Sequence, residues 1–452
     1  MIGIQSTTAG YEGAISGMTK SRWFQYWQFL VRLLVMSRVI TLRSPSLEIA
    51  RSGSPREYLG SYMKRCSPLF GLGGGISIFC LVTSSPVQAQ IVSDGTVGTI
   101  VNNPSGNIFE ITGGTPAGSN LFHSFDQFSV PNGDVVRFIN NNLNIQNVIS
   151  RVTGQGPAYI SNINGVIAAG GTAPNFNLFL LNPNGILFGS NAQLNIGGSF
   201  VATTANGIQF GNQRFIASTS QNDVSLLTVN PSALLFNQIA ANSVTSQAKL
   251  QVPNGQSLLL VGGEVSLEGG FLKAPGGRVE LGSVAGVGTI DLSVDGNNLH
   301  LNSFPDSVAR ANVSLTNGAE VDVRAGGGGS ITINAQDLTL AGQSRSSLKA
   351  GIFENLGSVN ALAGNIDINT TREITLKDAS FISNLVGLGG SGQSGDINIT
   401  TRSLLATDGA QIYATTRGNG DAGNISIQAD NNVSFDGQRG AGRSSGAVLG
   451  QL

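Results

Sequence analysis

Four times after residue 300 the chain repeats one short phrase: Gly329-Ser330-Ile331-Thr332-Ile333-Asn334, Gly364-Asn365-Ile366-Asp367-Ile368-Asn369, Gly395-Asp396-Ile397-Asn398-Ile399-Thr400 and Gly423-Asn424-Ile425-Ser426-Ile427-Gln428. The first isoleucine of each copy follows the last by 35, 31 and 28 residues. Apolar residues at alternate positions are the mark of a strand with one face in a core. A second alternating stretch follows shortly after, as in Leu338-Thr339-Leu340 or Ile374-Thr375-Leu376. A unit of this length cannot bury its isoleucine pair alone, whereas units stacked in parallel register bury them together. The repeat therefore predicts an all-β chain built as a right-handed parallel β-helix, a solenoid whose open first rung needs an N-terminal β cap.

Composition agrees with a thin aliphatic column. Glycine makes up 62 of the 452 residues, charged residues only 11% and aromatics 6%. That is too little charge for a soluble disordered chain and too few bulky side chains for a thick core. Residues 1–65 carry nine Lys or Arg and three Asp or Glu; the totals of 25 and 26 leave 16 basic and 23 acidic residues afterwards, a net of −7. A mildly acidic body without a basic cluster gives no footprint for nucleic acid. Both cysteines, Cys66 and Cys80, precede residue 90, so the body has no thiol for a disulfide, a metal or a nucleophile. The two histidines, His123 and His300, lie far apart and read as surface or capped residues rather than as a metal pair or part of a triad. Gly442-Arg443-Ser444-Ser445-Gly446 matches a nucleophile elbow by letter only, since no downstream histidine follows it. Gly418 to Asn424 resembles a calcium-binding nonapeptide but does not recur in tandem. No metal and no cofactor are expected.

The start of the chain reads as a leader. Met63-Lys64-Arg65 is a basic region, Leu69 to Val82 an apolar one, and Val87-Gln88-Ala89 places small residues where a signal peptidase cuts. Residues 63–89 are thus predicted to be a signal peptide cleaved between Ala89 and Gln90. Residues 1–62 are an N-terminal extension outside any domain, or sequence upstream of a true start at Met63. Two parts follow: 90–300, and a repeat shaft at 301–452 that reads as truncated, because it stops in a repeat without an evident capping unit.

In the first of these parts two apolar runs, Asn177 to Leu181 and Ile186 to Gly189, are hinged on Asn182-Pro183-Asn184-Gly185. Proline sets φ for the second position of a tight turn, the residue before it is pushed toward extended geometry, and Asn then Gly tolerate the conformations that close it. The runs are therefore strands. If the segment is only a turn, Asn184→Asp should be mild. Upstream, Phe122, Phe125 and Phe128 recur at a spacing of three; the β-branched flanks and Pro131-Asn132-Gly133 favour a strand whose aromatics plug the end of the solenoid.

Several blocks occur in a familiar order: Phe125 to Val130, Asn140-Asn141-Asn142-Leu143, Ile145 to Gly154, Asn177 to Gly189, and Leu194 to Ala202. Over about Ile91 to Phe236 the chain closely resembles the haemagglutination-activity, or two-partner-secretion, domain of filamentous-haemagglutinin-like exoproteins. In that family Asn-Pro-Asn-Gly-Ile is a signature, so the resemblance makes Asn182, Pro183, Asn184, Gly185 and Ile186 the secretion motif. It makes Asn140, Asn142 and Leu143 a secondary element, which here lacks the proline that several members carry.

The resemblance implies a secreted or surface-exposed exoprotein, exported through the periplasm and outer membrane of a Gram-negative-type bacterium. Its mature N-terminus would be recognised by periplasmic domains of a cognate outer-membrane TpsB-type β-barrel transporter. The chain would cross unfolded and fold rung by rung outside. Its shaft would serve adhesion to host-cell, neighbour-cell or polysaccharide surfaces, without enzyme activity. Two other readings remain open: a periplasmic or extracellular β-solenoid without a transporter, and a polysaccharide-acting β-helix enzyme whose aspartates converge from equivalent rung positions.

Overall fold

The structure is a computed structural model that describes residues 90–437 other than 221, 222, 240 and 303, together with the backbone of 448–450. The expected extension at 1–62, the leader at 63–89 with Ala89, and the Gly-x-Ser-x-Gly stretch lie outside the described residues. Gln90 is the first described residue and already belongs to a strand, Gln90–Ser93. Among the described residues the only helical element is the 3-10 turn Pro157–Tyr159.

Each rung passes through three faces of stacked parallel strands. The first face runs through Asn147–Val152, Asn177–Leu181, Phe200–Thr203, Ser257–Gly262, Arg278–Ser283 and the start of Ser330–Ala341. The second runs through Ser161–Ile163, Ile186–Phe188, Val244–Ser246, Val265–Glu268 and Val313–Thr316. The third is made of Ile108–Gly113, Val135–Ile139, Val166–Gly170 and Gln193–Asn195, then of Lys249–Gln251 through Gln411–Thr416. Their inward side chains form one hydrophobic column from Ile91 to Ala414, which passes residue 300 without a break. This is the parallel β-helix expected from the repeat.

The repeats stack in register. Ile331 faces Ile366, Ile366 faces Ile397 and Ile397 faces Ile425, although the copies differ in length. Ile331, Ile333, Ile366, Ile368, Ile397 and Ile399 are all buried. The second alternating stretch of each unit is not a separate strand. Ser330–Ala341, Ile366–Leu376 and Ile397–Ala406 each carry both stretches, and each has a register shift near its middle. A bulge adds an unpaired residue and bends a strand, so one strand lends an arm to each of two faces. At the bend Thr370 Oγ1 donates to Thr401 Oγ1 at 2.7 Å, which satisfies two buried hydroxyls across neighbouring rungs.

Between residues 120 and 283 the first face is covered on both sides. Over its outer side lies an antiparallel sheet of Gly207–Phe210, Gln213–Ile216, Ala233–Phe236, Gly288–Asp295 and Asn298–Leu301. Phe179, Leu181, Val201 and Leu259 pack outward into a second core with Phe210, Phe215 and Leu234. Two-sided burial is why Leu178 to Leu181 is apolar without interruption, where a half-exposed strand would alternate.

The N-terminal end is closed by antiparallel pairs: Gln90–Ser93 and Thr115–Ala117 with Asn120–Ser129, and Thr99–Asn102 with Ile108–Gly113. The expected aromatic plug is divided. A register shift opposite Val92 and Ser93 puts Phe125 and Phe128 together in the inner column, while Phe122 faces outward against Phe210 and Phe215 at 5.4 and 4.8 Å. His123, expected at the surface or capped, is instead fully buried beside Phe125 and Phe138, and its Nε2 has no hydrogen-bond partner. Burial pushes this imidazole down to about 3, so it is neutral in the fold.

Candidate functional site

Asn182 to Gly185 carries the chain round the corner between the first and second faces. The Gly185 N–H donates to the Asn182 carbonyl at 3.1 Å, closing the turn. Gly185 has φ +119°, and it is the only residue of the turn with positive φ. Asn182, Pro183, Asn184, Gly185 and Ile186 are all buried. The two asparagine amides explain why polar groups can be buried here. Asn182 Nδ2 donates to the Tyr159 carbonyl at 2.8 Å and to Ser161 Oγ at 2.9 Å. Its Oδ1 accepts from Asn184 N at 3.0 Å and from Asn184 Nδ2 at 2.8 Å. Asn184 Nδ2 also donates to the Gly154 carbonyl at 2.8 Å, and its Oδ1 accepts from Gly156 N at 2.9 Å. From the next rung, Asn242 Nδ2 donates to the Pro183 carbonyl at 2.7 Å.

The motif is thus a staple that fixes residues 154–161 of the preceding rung. Asn184 uses both ends of its amide, so the segment is more than a turn and the condition under which Asp would be mild at 184 is not met: a carboxylate cannot donate to Gly154 or Asn182. The letters Pro-Asn-Gly occur three times, at 131–133, 183–185 and 253–255. Asn132 and Asn254 are exposed, and only the copy preceded by Asn182 is buried.

The secondary element uses the same device at another corner, between the third and first faces. Asn140 is 3% exposed; its Oδ1 accepts from Asn142 N at 3.0 Å, while its Nδ2 donates to Asn142 O at 3.1 Å and to Ala173 O at 3.0 Å. Asn142 Oδ1 accepts from Asn144 N at 3.0 Å. Asn141, between them, accepts from Thr172 N at 2.9 Å through its Oδ1. Leu143 projects outward, 85% exposed. The two elements stand at different corners and are not brought together.

Two networks escaped the sequence reading. Asn120, Asn147 and Asn177 open successive strands of the first face and form a buried ladder: Asn147 Nδ2 donates to Asn120 Oδ1 at 3.0 Å, and Asn177 Nδ2 to Asn147 Oδ1 at 2.9 Å. The free ends of the ladder hold the connections between strands of the outer sheet, since Asn120 donates to Leu227 and Val229 carbonyls and Asn177 to the Gly296 carbonyl. At the other end of these strands Arg151 is fully buried. It donates to Ser124 Oγ at 2.7 Å and the Ile216 carbonyl at 2.6 Å, and its guanidinium lies 4.4 Å from the Phe215 ring centroid. Burial pushes Arg151 down to about 10 against the opposing pull of Asp94, so it stays charged at neutral pH. Asp94 is itself half-buried; hydrogen bonds from Ser124, Thr96 and Thr153 outweigh the desolvation that opposes them and hold its carboxyl below the usual range. A legible signal existed for both: an asparagine opening each apolar run, and an arginine inside Asn147-Val148-Ile149-Ser150-Arg151-Val152.

The chain matches the family model of the TPS secretion domain over residues 89–333. No curated protein matches it. Among solved structures it is similar to the HMW1 secretion domain from Haemophilus influenzae, at 17% identity and a TM-score of 0.47, covering 76% of this chain and 100% of that one. It is also similar to the filamentous hemagglutinin secretion domain, at 16% identity and a TM-score of 0.41, covering 76% of this chain and 98% of that one. The family match spans more than half of the sequence, and the chain belongs to the TPS secretion domain family, the exoproteins of two-partner secretion.

Proposed function

We propose that Asn182–Ile186 serves export through the fold it holds, not by direct contact with the transporter. The observation that carries this reading is the burial of all five residues. A partner meeting the folded domain finds no side chain of the motif to touch, whereas loss of the staple releases residues 154–161 and loosens the first rungs. Family membership implies a cognate TpsB-type outer-membrane transporter. In our reading its periplasmic domains take up the chain after cleavage between Ala89 and Gln90. Stable closure of the first rungs outside the cell then opposes return. Asn140 supports the same rungs from its own corner, and the exposed Asn142 and Leu143 are the side chains of the two elements offered for contact. Beyond the secretion domain the shaft meets host-cell, neighbour-cell or polysaccharide surfaces, and its role is adhesive, not catalytic.

The test is the ratio of extracellular to periplasmic product in a host carrying the paired transporter. Asn184→Asp and Gly185→Val should lower it several-fold, and Asn132→Asp, in an exposed Pro-Asn-Gly turn, should leave it unchanged. Binding of the urea-unfolded chain to isolated periplasmic domains of the transporter should be the same for all. Undiminished export of both motif variants, or export of the parent without any transporter, would overturn the secretion role of this stretch. Weaker binding of the unfolded variants would replace the fold-mediated reading by direct recognition.

A further inference from the structure

The antiparallel cover of the first face closes at Leu301, Phe304 and Val308. Beyond it the outward side chains of the face change character. Thr332, Asp367 and Asn398 stand opposite one another on successive rungs, and Asn334, Asn369 and Thr400 form a second column beside them. A hollow of about 490 Å³ lies over these columns, with His300 and Asn302 at its side. At Asp367 it meets a second hollow of about 620 Å³.

The chemistry of the groove is selective. Its two columns hold six side chains with one charge among them, and amides and hydroxyls supply donors and acceptors side by side. Polyhydroxylated ligands need that mixture. An apolar ligand finds little to cover, because the isoleucines of these strands point inward. A polyanion finds Asp367 in the middle of the groove, while Arg278, in the wall of the second hollow, is paired with Glu280 at 3.2 Å and Arg310 is engaged with the Asn369 carbonyl at 3.1 Å. Successive rungs repeat the donor set about every 4.8 Å, so a ligand with its own repeat gains contacts as it lengthens.

We propose that this groove binds a neutral polysaccharide chain lying across the rungs. The proposal rests on reading the shaft as the part that meets surfaces outside the cell. Its test uses purified chain and no transporter, so its failure is distinguishable from a failure of the secretion reading. Calorimetric titration with the dimers and hexamers of cellulose, chitin and mannan, and with polygalacturonate, measures binding directly. At least one neutral hexamer should bind ten-fold or more tightly than its dimer. Asp367→Ala and Asn398→Ala should each weaken that hexamer about ten-fold, as should Thr332→Lys, whose long side chain obstructs the hollow. Thr375→Ala, on the second face, should change nothing. Absence of binding by all three neutral hexamers, tighter binding of polygalacturonate, or affinity indifferent to length or to the three groove variants would overturn the assignment.

Discussion

Asn184→Asp is nearly isosteric, yet it should be among the most damaging single changes in the first rungs. The side chain gives two hydrogen bonds, to the Gly154 carbonyl and to Asn182 Oδ1, and receives one from Gly156 N. Aspartate keeps the last and turns the first two into contacts between acceptors. Each buried group left without a donor costs about 1–3 kcal/mol, and the carboxylate faces two oxygens in a site that is 9% exposed. A loss of about 3–5 kcal/mol follows, a large share of the roughly 5–15 kcal/mol that holds a domain together. The same environment raises the pKa of the new carboxyl above its unfolded value, so the folded variant binds the extra proton. Its stability is therefore best at low pH and falls as pH rises from the ordinary carboxylate range. Urea unfolding followed by far-UV circular dichroism would measure this, with Asn132→Asp and Asn254→Asp as exposed controls that should stay within about 0.5 kcal/mol of the parent. Equal midpoints for all three variants at neutral pH would refute the account of Asn184 as a buried staple.

Other perturbations probe the column and its ends. Aspartate in place of Ile366, Ile368, Ile397 or Ile399 buries an unpaired charge and should cost several kcal/mol, seen as lost protease protection of the shaft; intact protection would refute the inward register. Asn398→Asp should be milder but not silent, because Asn398 Nδ2 donates to Asp367 Oδ1 at 2.9 Å and two carboxylates would then face each other. Gly185→Ala should destabilise through φ +119° and not through crowding, since the nearest atom to an added Cβ is 3.5 Å away; Gly185→Val should lose at least as much. His123 is held near 3, below its ordinary 6.5, so the stability it contributes is present above 6.5 and is lost as pH falls toward 3. His123→Leu should flatten that part of the urea-midpoint profile. Glu280 behaves oppositely: desolvation, partly offset by Leu301 N and Arg278, raises it from 4.5 to about 7. Stability should fall by up to about 3 kcal/mol as pH rises through that window, and Glu280→Gln should remove the fall.

The isoleucine phrases made the rungs legible because a period of two, repeated, states both a strand and its inner side. They did not state that two alternating stretches form one bent strand, since a bulge leaves no mark beyond one residue out of step. The unbroken run Leu178-Phe179-Leu180-Leu181 carried the news of two-sided burial, but its outer cover comes from residues 207–301, and nothing local names so distant a partner. The corner at Asn182 was legible as a turn. Its burial was not, because Gly154, Gly156 and Tyr159, which its amides hold, lie 23 to 30 residues upstream. His123 shows the same limit: a histidine between phenylalanines reads alike whether its ring faces water or the column.

Because the rungs are in register strand by strand while their loops differ in length, the shaft has no fixed residue count per turn. Cutting the chain from Ile366 to Asp396 would bring Ile397 against Ile331 in the register that Ile366 now occupies. The shortened protein should give a protease-resistant product smaller by that one repeat and equally rich in strand. Unequal recombination between two copies of the Gly-x-Ile-x-Ile phrase is then a folding-neutral event, so the gene can alter the reach of its product by whole rungs without revising any other part of the molecule.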